Sequence, residues 1–378
     1  MEELFEQRPL RILMTTDTVG GVWSYTVELC KAMLPYNMHF YVITTGAPMQ
    51  PTQVKELAGI QNATVYETDF LLEWMESPWK SIDTSADWLL QVESELQPDI
   101  IHINGYAYGA LPWKAPVLMV AHSDVFSWWQ AVKGEAPPAT WQEYYNRVHI
   151  GLQGADYLLA PSKAMLQDIQ QIYAITTPCK VIYNGRSAEQ FKPAAKEPFI
   201  FSMGRIWDEA KNMQLLIKAA PHIAYPIRLA GDQHFATNNS TAARTNIDYL
   251  GKLSTAEIAA QLAAASVYVL PAKYEPFGLS VLEAALSGCA LVLGNIDSLK
   301  EIWGDSAMYV DTQDANALAE SVNYLMEHEA VRQDFAQCAL QHAKQYTTKV
   351  MAENYKKVYQ QLLQHQESMF VPITGQAD

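Results

Sequence analysis

The segment LRILMTTDTVGGVWSYTVELCKAML (residues 10–34) contains one strand, one loop and one helix in direct succession. Residues 10–16 are an apolar run with β-branched side chains, which is typical of a buried strand. The loop DTVGGV (17–22) follows, and residues 23–34 have a helical pattern. A strand followed directly by a helix is the repeating unit of parallel sheets. The segment therefore predicts an α/β fold with a doubly wound parallel sheet.

The same alternation continues along the chain on both sides of a polar segment rich in Ala and Pro, RSAEQFKPAAKEP (186–198). We interpret this segment as an interdomain linker. Before it, strands are predicted at 40–46, 63–68, 99–104, 115–123, 155–162 and 181–185, with helices at 85–97 and 140–153. After it, strands are predicted at 199–205, 227–232, 247–253, 267–272, 290–295 and 307–311, with helices at 211–223, 255–265, after Gly278 and over 315–367. Two α/β halves of similar size are expected.

Composition describes an ordinary globular protein: 378 residues, 49% hydrophobic, 18% charged, with a formal net charge of −15. The acidic balance argues against nucleic acid as a partner. No apolar run reaches the roughly 18 residues of a transmembrane segment, and the N-terminus lacks the apolar core of a signal peptide. The four cysteines are far apart, which suits reduced thiols and predicts no metal site. We expect a cytoplasmic protein.

Ligands of open parallel sheets bind beyond the carboxyl ends of the strands. Gly20 and Gly21 follow the first strand there, and two glycines allow close backbone approach to a phosphate at a helix N-terminus. A tight turn is the alternative explanation. Neither GxGxxG nor GxxxxGK[ST] occurs in the sequence, which argues against dinucleotide-binding and P-loop proteins.

Three titratable side chains follow other predicted strands. Arg205 closes one strand and Lys211 comes six positions later, so that two cations at one strand end would suit a diphosphate. Ordinary surface charge is the alternative. His122 lies at the end of another strand, in AHSD (121–124), where it is either a site residue or a structural histidine.

The stretch YEPFGLSVLE (274–283) places two carboxylates around a Pro-Phe-Gly turn. The proline keeps Glu275 extended at the tip of a strand. Gly278 permits a sharp entry into the following helix, whose first backbone N–H groups would be free. Glu283 lies near the first turn of that helix, where the dipole favours a negative charge. The dipole alone could explain Glu283, but it does not explain Glu275.

Together, these motifs resemble those of the retaining nucleotide-sugar glycosyltransferases of family 4 (glycosyl transferases group 1). The motifs occur in the family's order over nearly the whole chain: TVGGVWSY (18–25), VAHSD (120–124), VIYNGRSAEQFKP (181–193), SMGRIWDEAKN (202–212), LAGD (229–232), YLGKLSTAEI (249–258), YEPFGLSVLEAALSG (274–288) and GDSAMYVD (304–311). The spacing of Glu275 and Glu283 is the family's E-x7-E signature. The chain departs from the common pattern at residues 295–298, where many members have a Gly-rich turn, and at Arg186-Ser187, which we interpret as a linker feature.

The resemblance implies the GT-B architecture, in which two Rossmann-like doubly wound parallel-sheet domains face each other across a deep cleft. Residues 1–190 would form the acceptor-binding domain and residues 191–352 the nucleotide-sugar donor domain. Residues 353–378 would form a helix that crosses back to the N-terminal domain, followed by a loose tail.

The resemblance also implies roles for individual residues. Arg205 and Lys211 would neutralise the diphosphate, Glu275 would bind hydroxyls of the donor sugar, and His122 would face the reacting centre. The remaining donor-binding residues would be Gly20, Gly21, Phe277, Gly278, Leu279 and Glu283, the last on the ribose. Asp124, Trp128 and Trp129 are the candidate acceptor contacts.

No metal is expected, because members of the family use none and the sequence has no Asp-x-Asp triplet or His/Cys cluster. No cofactor is expected either, and the nucleotide-diphosphate sugar would be the co-substrate. UDP- and GDP-linked hexoses both fit as donors, and the acceptor would be a carbohydrate, a lipid-linked molecule or a small molecule. The alternatives are a 2-epimerase or a phosphorylase on the same fold, a dinucleotide-binding oxidoreductase, and a non-catalytic sugar-binding relative.

Overall fold

The computed structural model describes residues 8–232 and 246–370. The expectations for the extreme N-terminus and for the tail 371–378 lie outside these residues. Within them, two sheets are present, one in each half of the chain, and every strand pair is parallel. The described residues contain no helix with the length and apolarity that a membrane crossing requires.

The first sheet has seven strands in the order β3-β2-β1-β4-β5-β6-β7. They are β1 (Leu10–Asp17), β2 (Met38–Thr45), β3 (Ala63–Glu67), β4 (Ile100–Ile103), β5 (Val117–Val120), β6 (Tyr157–Ala160) and β7 (Cys179–Val181). Its helices are α1 (Gly21–Met33), α2 (Pro51–Ala58), α3 (Trp79–Leu96), α4 (Val125–Lys133), α5 (Gln142–Gly154) and α6 (Lys163–Tyr173). The reversal of strand order beside β1 brings the loops after β1 and β4 to one edge, as in doubly wound folds.

The second sheet has six strands in the order β10-β9-β8-β11-β12-β13. They are β8 (Glu197–Met203), β9 (Ile227–Ala230), β10 (Ile247–Gly251), β11 (Ala265–Leu270), β12 (Ala290–Gly294) and β13 (Met308–Val310). Its helices are α7 (Met213–Ala219), α8 (Thr255–Ala264), α9 (Leu279–Leu286), α10 (Asp297–Trp303), α11 (Ala315–Glu327) and α12 (Glu329–Ala343). The chain ends in α13 (Thr348–Phe370).

Helix α13 returns to the first half of the chain. Its side chains Met351, Tyr355 and Tyr359 are buried in one hydrophobic cluster with residues of β1 and α1. The packing begins at Met351, slightly before the residue 353 expected from the sequence. The last helix therefore ties the C-terminal half of the chain to the N-terminal sheet.

The structure differs from the sequence-based prediction at β7. A strand was predicted at 181–185, but β7 spans Cys179–Val181 and the chain then leaves the sheet. The Ile182 N–H still donates to the Ala160 carbonyl of β6 at 3.0 Å. Three residues later an added Cβ at Gly185 would come within 2.3 Å of the Thr347 carbonyl oxygen, so the chain there passes close to the start of the last helix instead of continuing the strand.

Among the described residues, four helices were not predicted from the sequence (α2, α4, α6 and α10), and two of them, α4 and α6, begin at capping side chains. The Asp124 carboxylate accepts a hydrogen bond from the Ser127 N–H at 2.8 Å, and the Ser162 hydroxyl accepts from the Met165 N–H at 3.1 Å. Such caps satisfy N–H groups that the first helical turn leaves open. Asp124 therefore caps the start of α4, where the sequence suggested a site residue. Ser162 caps the start of α6, where the sequence suggested the end of a strand.

His102 gives the first sheet a specific pH dependence. Its Nδ1 lies 2.7 Å from the Tyr359 hydroxyl and its Nε2 3.2 Å from the Tyr25 hydroxyl, and burial lowers its pKa from 6.5 to about 3. Between these values the unfolded chain binds more protons, so stability is lost as the pH falls below 6.5. We expect His102→Gln to make the pH dependence of the unfolding free energy shallower by about 1 kcal/mol per pH unit. Denaturant unfolding at pH 6, 5 and 4 measures this, and parallel wild-type and variant profiles would contradict it.

Candidate active site

Loops from both halves of the chain meet at the carboxyl-terminal edges of the two sheets. A Cβ added at Gly20 would lie 3.8 Å from the Nη1 of Arg205, and one added at Gly21 would lie 4.0 Å from Cδ1 of Leu279. Lys211 forms an ion pair with the Glu275 carboxylate. The structure therefore places the glycine loop of the first half beside Arg205 and Leu279 of the second half, and it pairs Lys211 with Glu275 within the second half.

Arg205 is held in place by Asp208. The Nε and Nη2 of Arg205 donate to one Asp208 oxygen at 3.1 and 2.7 Å, and the other oxygen accepts from the Ala210 N–H at 2.9 Å. The Arg205 guanidinium also lies 5.5 Å from the ring centroid of Trp207. Asp208 was not singled out from the sequence, although a carboxylate three residues after an arginine at a strand end was the available signal.

The loop that carries Glu275 is positioned by Ser298. The Ser298 hydroxyl donates to the Glu275 carbonyl at 2.6 Å. Gly278 has φ +88°, and an added Cβ would lie 3.1 Å from Val281 and 3.4 Å from the Glu275 side chain. A side chain at residue 278 would therefore be strained and would press on Glu275. Residues 295–298, which depart from the family's Gly-rich turn, supply a hydroxyl that orients this loop.

Phe277 and Leu279 surround the same turn in different ways. The Phe277 side chain is buried and packs edge-on against Tyr346, with ring centroids 5.7 Å apart. Its side chain thus belongs to the core of the second half, and only its backbone can serve a ligand. Leu279 begins α9 and is half-buried next to Gly21.

His122 has a defined tautomer. Asn104 donates through Nδ2 to the Thr15 carbonyl at 2.7 Å, so its Oδ1 faces the Nε2 of His122 at 2.9 Å. The His122 Nε2 therefore carries the hydrogen, and Nδ1 is the acceptor. Burial lowers the pKa of His122 to about 3, which keeps the ring neutral near pH 7. The ring can accept a hydrogen bond but carries no charge.

The candidate acceptor residues have different environments. Asp124 is 3% exposed, and its carboxylate accepts from Tyr173 at 2.6 Å and from Tyr144 at 3.1 Å in addition to capping α4. The structure thus places Asp124 in a buried network. Trp128 and Trp129 are half-buried on α4 in an edge-to-face contact, with ring centroids 5.9 Å apart.

Tyr274, which directly precedes Glu275, inserts into the first half of the chain. Its hydroxyl accepts from the Asp124 N–H at 3.1 Å and lies 2.9 Å from the Ser127 hydroxyl, and the side chain belongs to a core cluster of the first half. A second bridge joins Lys133 of α4 to Glu209 at 2.7 Å. The segment that follows His122 and the loop that carries Glu275 are therefore joined by direct hydrogen bonds through Tyr274. No local sequence pattern indicated this contact.

The Glu283 side chain on α9 is 9% exposed and contacts a cation other than Arg205 and Lys211. The Nε of Arg186 lies 2.8 Å from the Glu283 carboxylate, and the Nη1 of Arg186 lies 2.7 Å from that of Glu28. Burial raises the pKa of Glu283, and the charge of Arg186 opposes this shift. Arg186, interpreted above as a linker feature, thus has a buried carboxylate on each side.

Comparison with known proteins identifies relatives of both halves. A family model described as Glycosyltransferase Family 4 matches residues 19–190, and one described as Glycosyl transferases group 1 matches residues 185–342. N,N'-diacetylbacillosaminyl-diphospho-undecaprenol alpha-1,3-N-acetylgalactosaminyltransferase of Campylobacter jejuni is 31% identical over 32% of this chain and 32% of its own length. O-antigen chain mannosyltransferase B of Escherichia coli is 33% identical over 27% and 26%. The matches thus span a third or less of these two relatives.

Longer matches agree with these models. Alpha-maltose-1-phosphate synthase of Mycobacterium tuberculosis is 24% identical over 67% of this chain and 75% of its own length. Among solved structures, sucrose-phosphate synthase from Thermosynechococcus elongatus has a TM-score of 0.78 at 16% identity, covering 94% of this chain and 99% of that one. Anabaena Alr3699/HepE in complex with UDP and glucose has a TM-score of 0.71 at 16% identity, covering 93% and 100%. Because the two family models together extend from residue 19 to residue 342 and both sheets have the GT-B arrangement, the chain belongs to the group 1 glycosyltransferases.

Proposed function

We propose that this chain transfers a hexosyl unit from a nucleoside diphosphate sugar to an acceptor hydroxyl, with retention of the anomeric configuration and without a metal ion. The observation that carries the proposal is the position of Arg205 beside the glycine loop of the opposite domain, with Lys211 following six positions later and paired to Glu275. Two cations after one strand end match a diphosphate in charge.

The ion pair between Lys211 and Glu275 suggests how the donor enters. A diphosphate would replace Glu275 as the partner of Lys211, and the released carboxylate would accept hydrogen bonds from hydroxyls of the donor sugar. Arg205 would stay oriented by Asp208 while its exposed edge contacts phosphate. The cations would then stabilise the charge that develops on the leaving diphosphate, in an arrangement that exists before the reaction starts.

Retention would follow from attack on the same face of the sugar that the diphosphate leaves. The bond between the anomeric carbon and the phosphate oxygen breaks, the bond to the acceptor oxygen forms, and the acceptor proton moves to the departing phosphate oxygen. His122, neutral and with Nδ1 as acceptor, would orient the sugar by accepting from a hydroxyl. No side chain needs to act as a nucleophile in this scheme.

UDP- and GDP-linked hexoses are the proposed donors. The solved Anabaena relative was determined with UDP, with UDP-glucose and with UDP plus glucose. The acceptor, a carbohydrate, a lipid-linked molecule or a small molecule, would approach from the first domain near Trp128 and Trp129 on α4. Their half-buried rings offer flat apolar surface on the helix that follows His122.

The test is a panel of UDP-, GDP- and ADP-linked hexoses incubated with the protein and followed by proton NMR. With water as the acceptor, we expect release of the nucleoside diphosphate from one donor and a free hexose that first appears with the anomeric configuration of that donor, before mutarotation. EDTA should change the rate by less than about twofold, because Arg205 and Lys211 supply the positive charge. An inverted product, or a rate that requires a divalent cation, would contradict the proposed mechanism.

A further inference from the structure

Arg186 forms a buried ion-pair cluster with Glu28 and Glu283. The three side chains are 4%, 5% and 9% exposed, and the guanidinium contacts the two carboxylates at 2.7 and 2.8 Å. Two negative charges and one positive charge thus share a site largely closed to water. Buried charge is expensive, and the guanidinium of Arg186 lies between the two carboxylates.

The cluster joins the two helices that lead away from the candidate active site. Glu28 is on α1, which begins directly after Gly20, and Glu283 is on α9, which begins directly after Gly278. Arg186 lies in the segment between the two sheets. The Arg186 guanidinium therefore contacts side chains of both α1 and α9 from the segment that connects the two sheets.

Arg186 is itself held rigidly. Its backbone N–H donates to the Tyr346 carbonyl at 3.1 Å, and its guanidinium lies 5.1 Å from the ring centroid of Phe191. The planar guanidinium can contact two carboxylates at once, whereas a lysine ammonium acts as a point charge. Arg186 thus holds the Glu283 side chain in position through its Oε1 oxygen.

We infer that Arg186 is a positioning residue that holds the Glu283 carboxylate in place to accept hydrogen bonds from the ribose hydroxyls of the donor. The inference rests on the proposed function. Because the Oε1 of Glu283 contacts Arg186, its Oε2 is the oxygen that would accept a hydrogen bond from a ribose hydroxyl. Burial raises the pKa of Glu283, and the charge of Arg186 opposes this shift, so Arg186 favours the ionised form of the carboxylate.

The ligand itself provides the sharpest test, because 2',3'-dideoxyuridine diphosphate lacks the two hydroxyls in question. Calorimetric titration with UDP and with its dideoxy form gives a ratio of dissociation constants that reports the hydroxyl contacts alone. If the wild-type protein binds GDP more tightly than UDP, GDP and its 2',3'-dideoxy form are titrated in place of the two uridine ligands. Removing a hydrogen bond to a charged group corresponds to a change of roughly tenfold to a hundredfold.

Arg186→Met alone would leave two buried carboxylates facing each other, which destabilises a fold. The test therefore uses Glu28→Gln combined with Arg186→Met, which keeps the net charge of the cluster and leaves Glu283 without its arginine. We expect this variant to bind UDP at least about tenfold more weakly and dideoxy-UDP within about twofold of wild type. Arg186→Lys keeps the positive charge, so its ratio of dissociation constants for UDP and dideoxy-UDP should lie between those of wild type and the double variant.

Arg147 provides a matched control, because it also contacts two carboxylates, Asp83 and Glu143, but on the protein surface. Arg147→Met should leave both dissociation constants unchanged. An unchanged ratio in both Arg186 variants, or equal weakening of UDP and dideoxy-UDP, would overturn the inference while leaving the proposed function intact. Failure of wild type to bind UDP, GDP and ADP would instead overturn the proposed function and the inference with it.

Discussion

Lys211→Ala is expected to lower turnover by about two to three orders of magnitude, the usual effect of removing one preorganised contact to a developing charge. Lys211 lies two residues before α7, and its ammonium reaches the Glu275 carboxylate. In the proposed reaction it contacts the diphosphate as the sugar bond breaks. Alanine removes this charge and leaves Arg205 as the remaining cation of the pair.

The loss should appear in turnover far more than in folding, because the Lys211 side chain is 22% exposed and is not part of a hydrophobic core. Lys349→Ala is the matched control, since Lys349 is an exposed lysine of α13 with a neighbouring Glu353. Steady-state kinetics and thermal unfolding of both variants measure the two effects. Near-normal turnover of Lys211→Ala, with the donor saturating as in wild type, would count against the assignment of the site.

Glu275→Gln is expected to lower kcat/KM for the donor by roughly tenfold to a hundredfold, the range for a hydrogen bond to a charged group. Glutamine has nearly the same shape, so the Ser298 contact to the backbone of residue 275 should persist. The change removes the charge that would accept from two sugar hydroxyls, and it deprives Lys211 of its partner before the donor binds.

Glu197→Gln is the control for this variant, because Glu197 is an exposed carboxylate that pairs with Arg228 away from the cleft. Its kcat/KM should match that of wild type. The Glu275 assignment fails if Glu275→Gln and Glu197→Gln have the same kcat/KM for the same nucleotide sugar.

The sheets and the convergence of the candidate site followed from local sequence patterns. Buried parallel strands are continuous apolar runs, so most of the strands could be located without the structure. The carboxyl ends of such strands share one edge, which is why Arg205 and Glu275 could be expected near the same ligand. Both inferences depend on residues close in sequence and on one general rule of sheet topology.

Contacts between distant parts of the chain could not be predicted in this way. Arg186 is 158 positions from Glu28, and nothing near it in the sequence indicates a buried partner. Tyr274 lies just after a predicted strand, and its side chain packs in the core of the opposite domain. Asp124 was a candidate acceptor contact, and its carboxylate accepts a hydrogen bond from Tyr173, 49 positions later. In each case the side chain's partner is set by tertiary packing.

A crystal structure with UDP or GDP bound tests the central claim most directly. The account predicts nitrogen atoms of Arg205 and Lys211 within about 2.7–3.2 Å of phosphate oxygens, with Lys211 separated from Glu275. A nucleotide bound with its phosphates elsewhere, and with Lys211 still paired to Glu275, would contradict it.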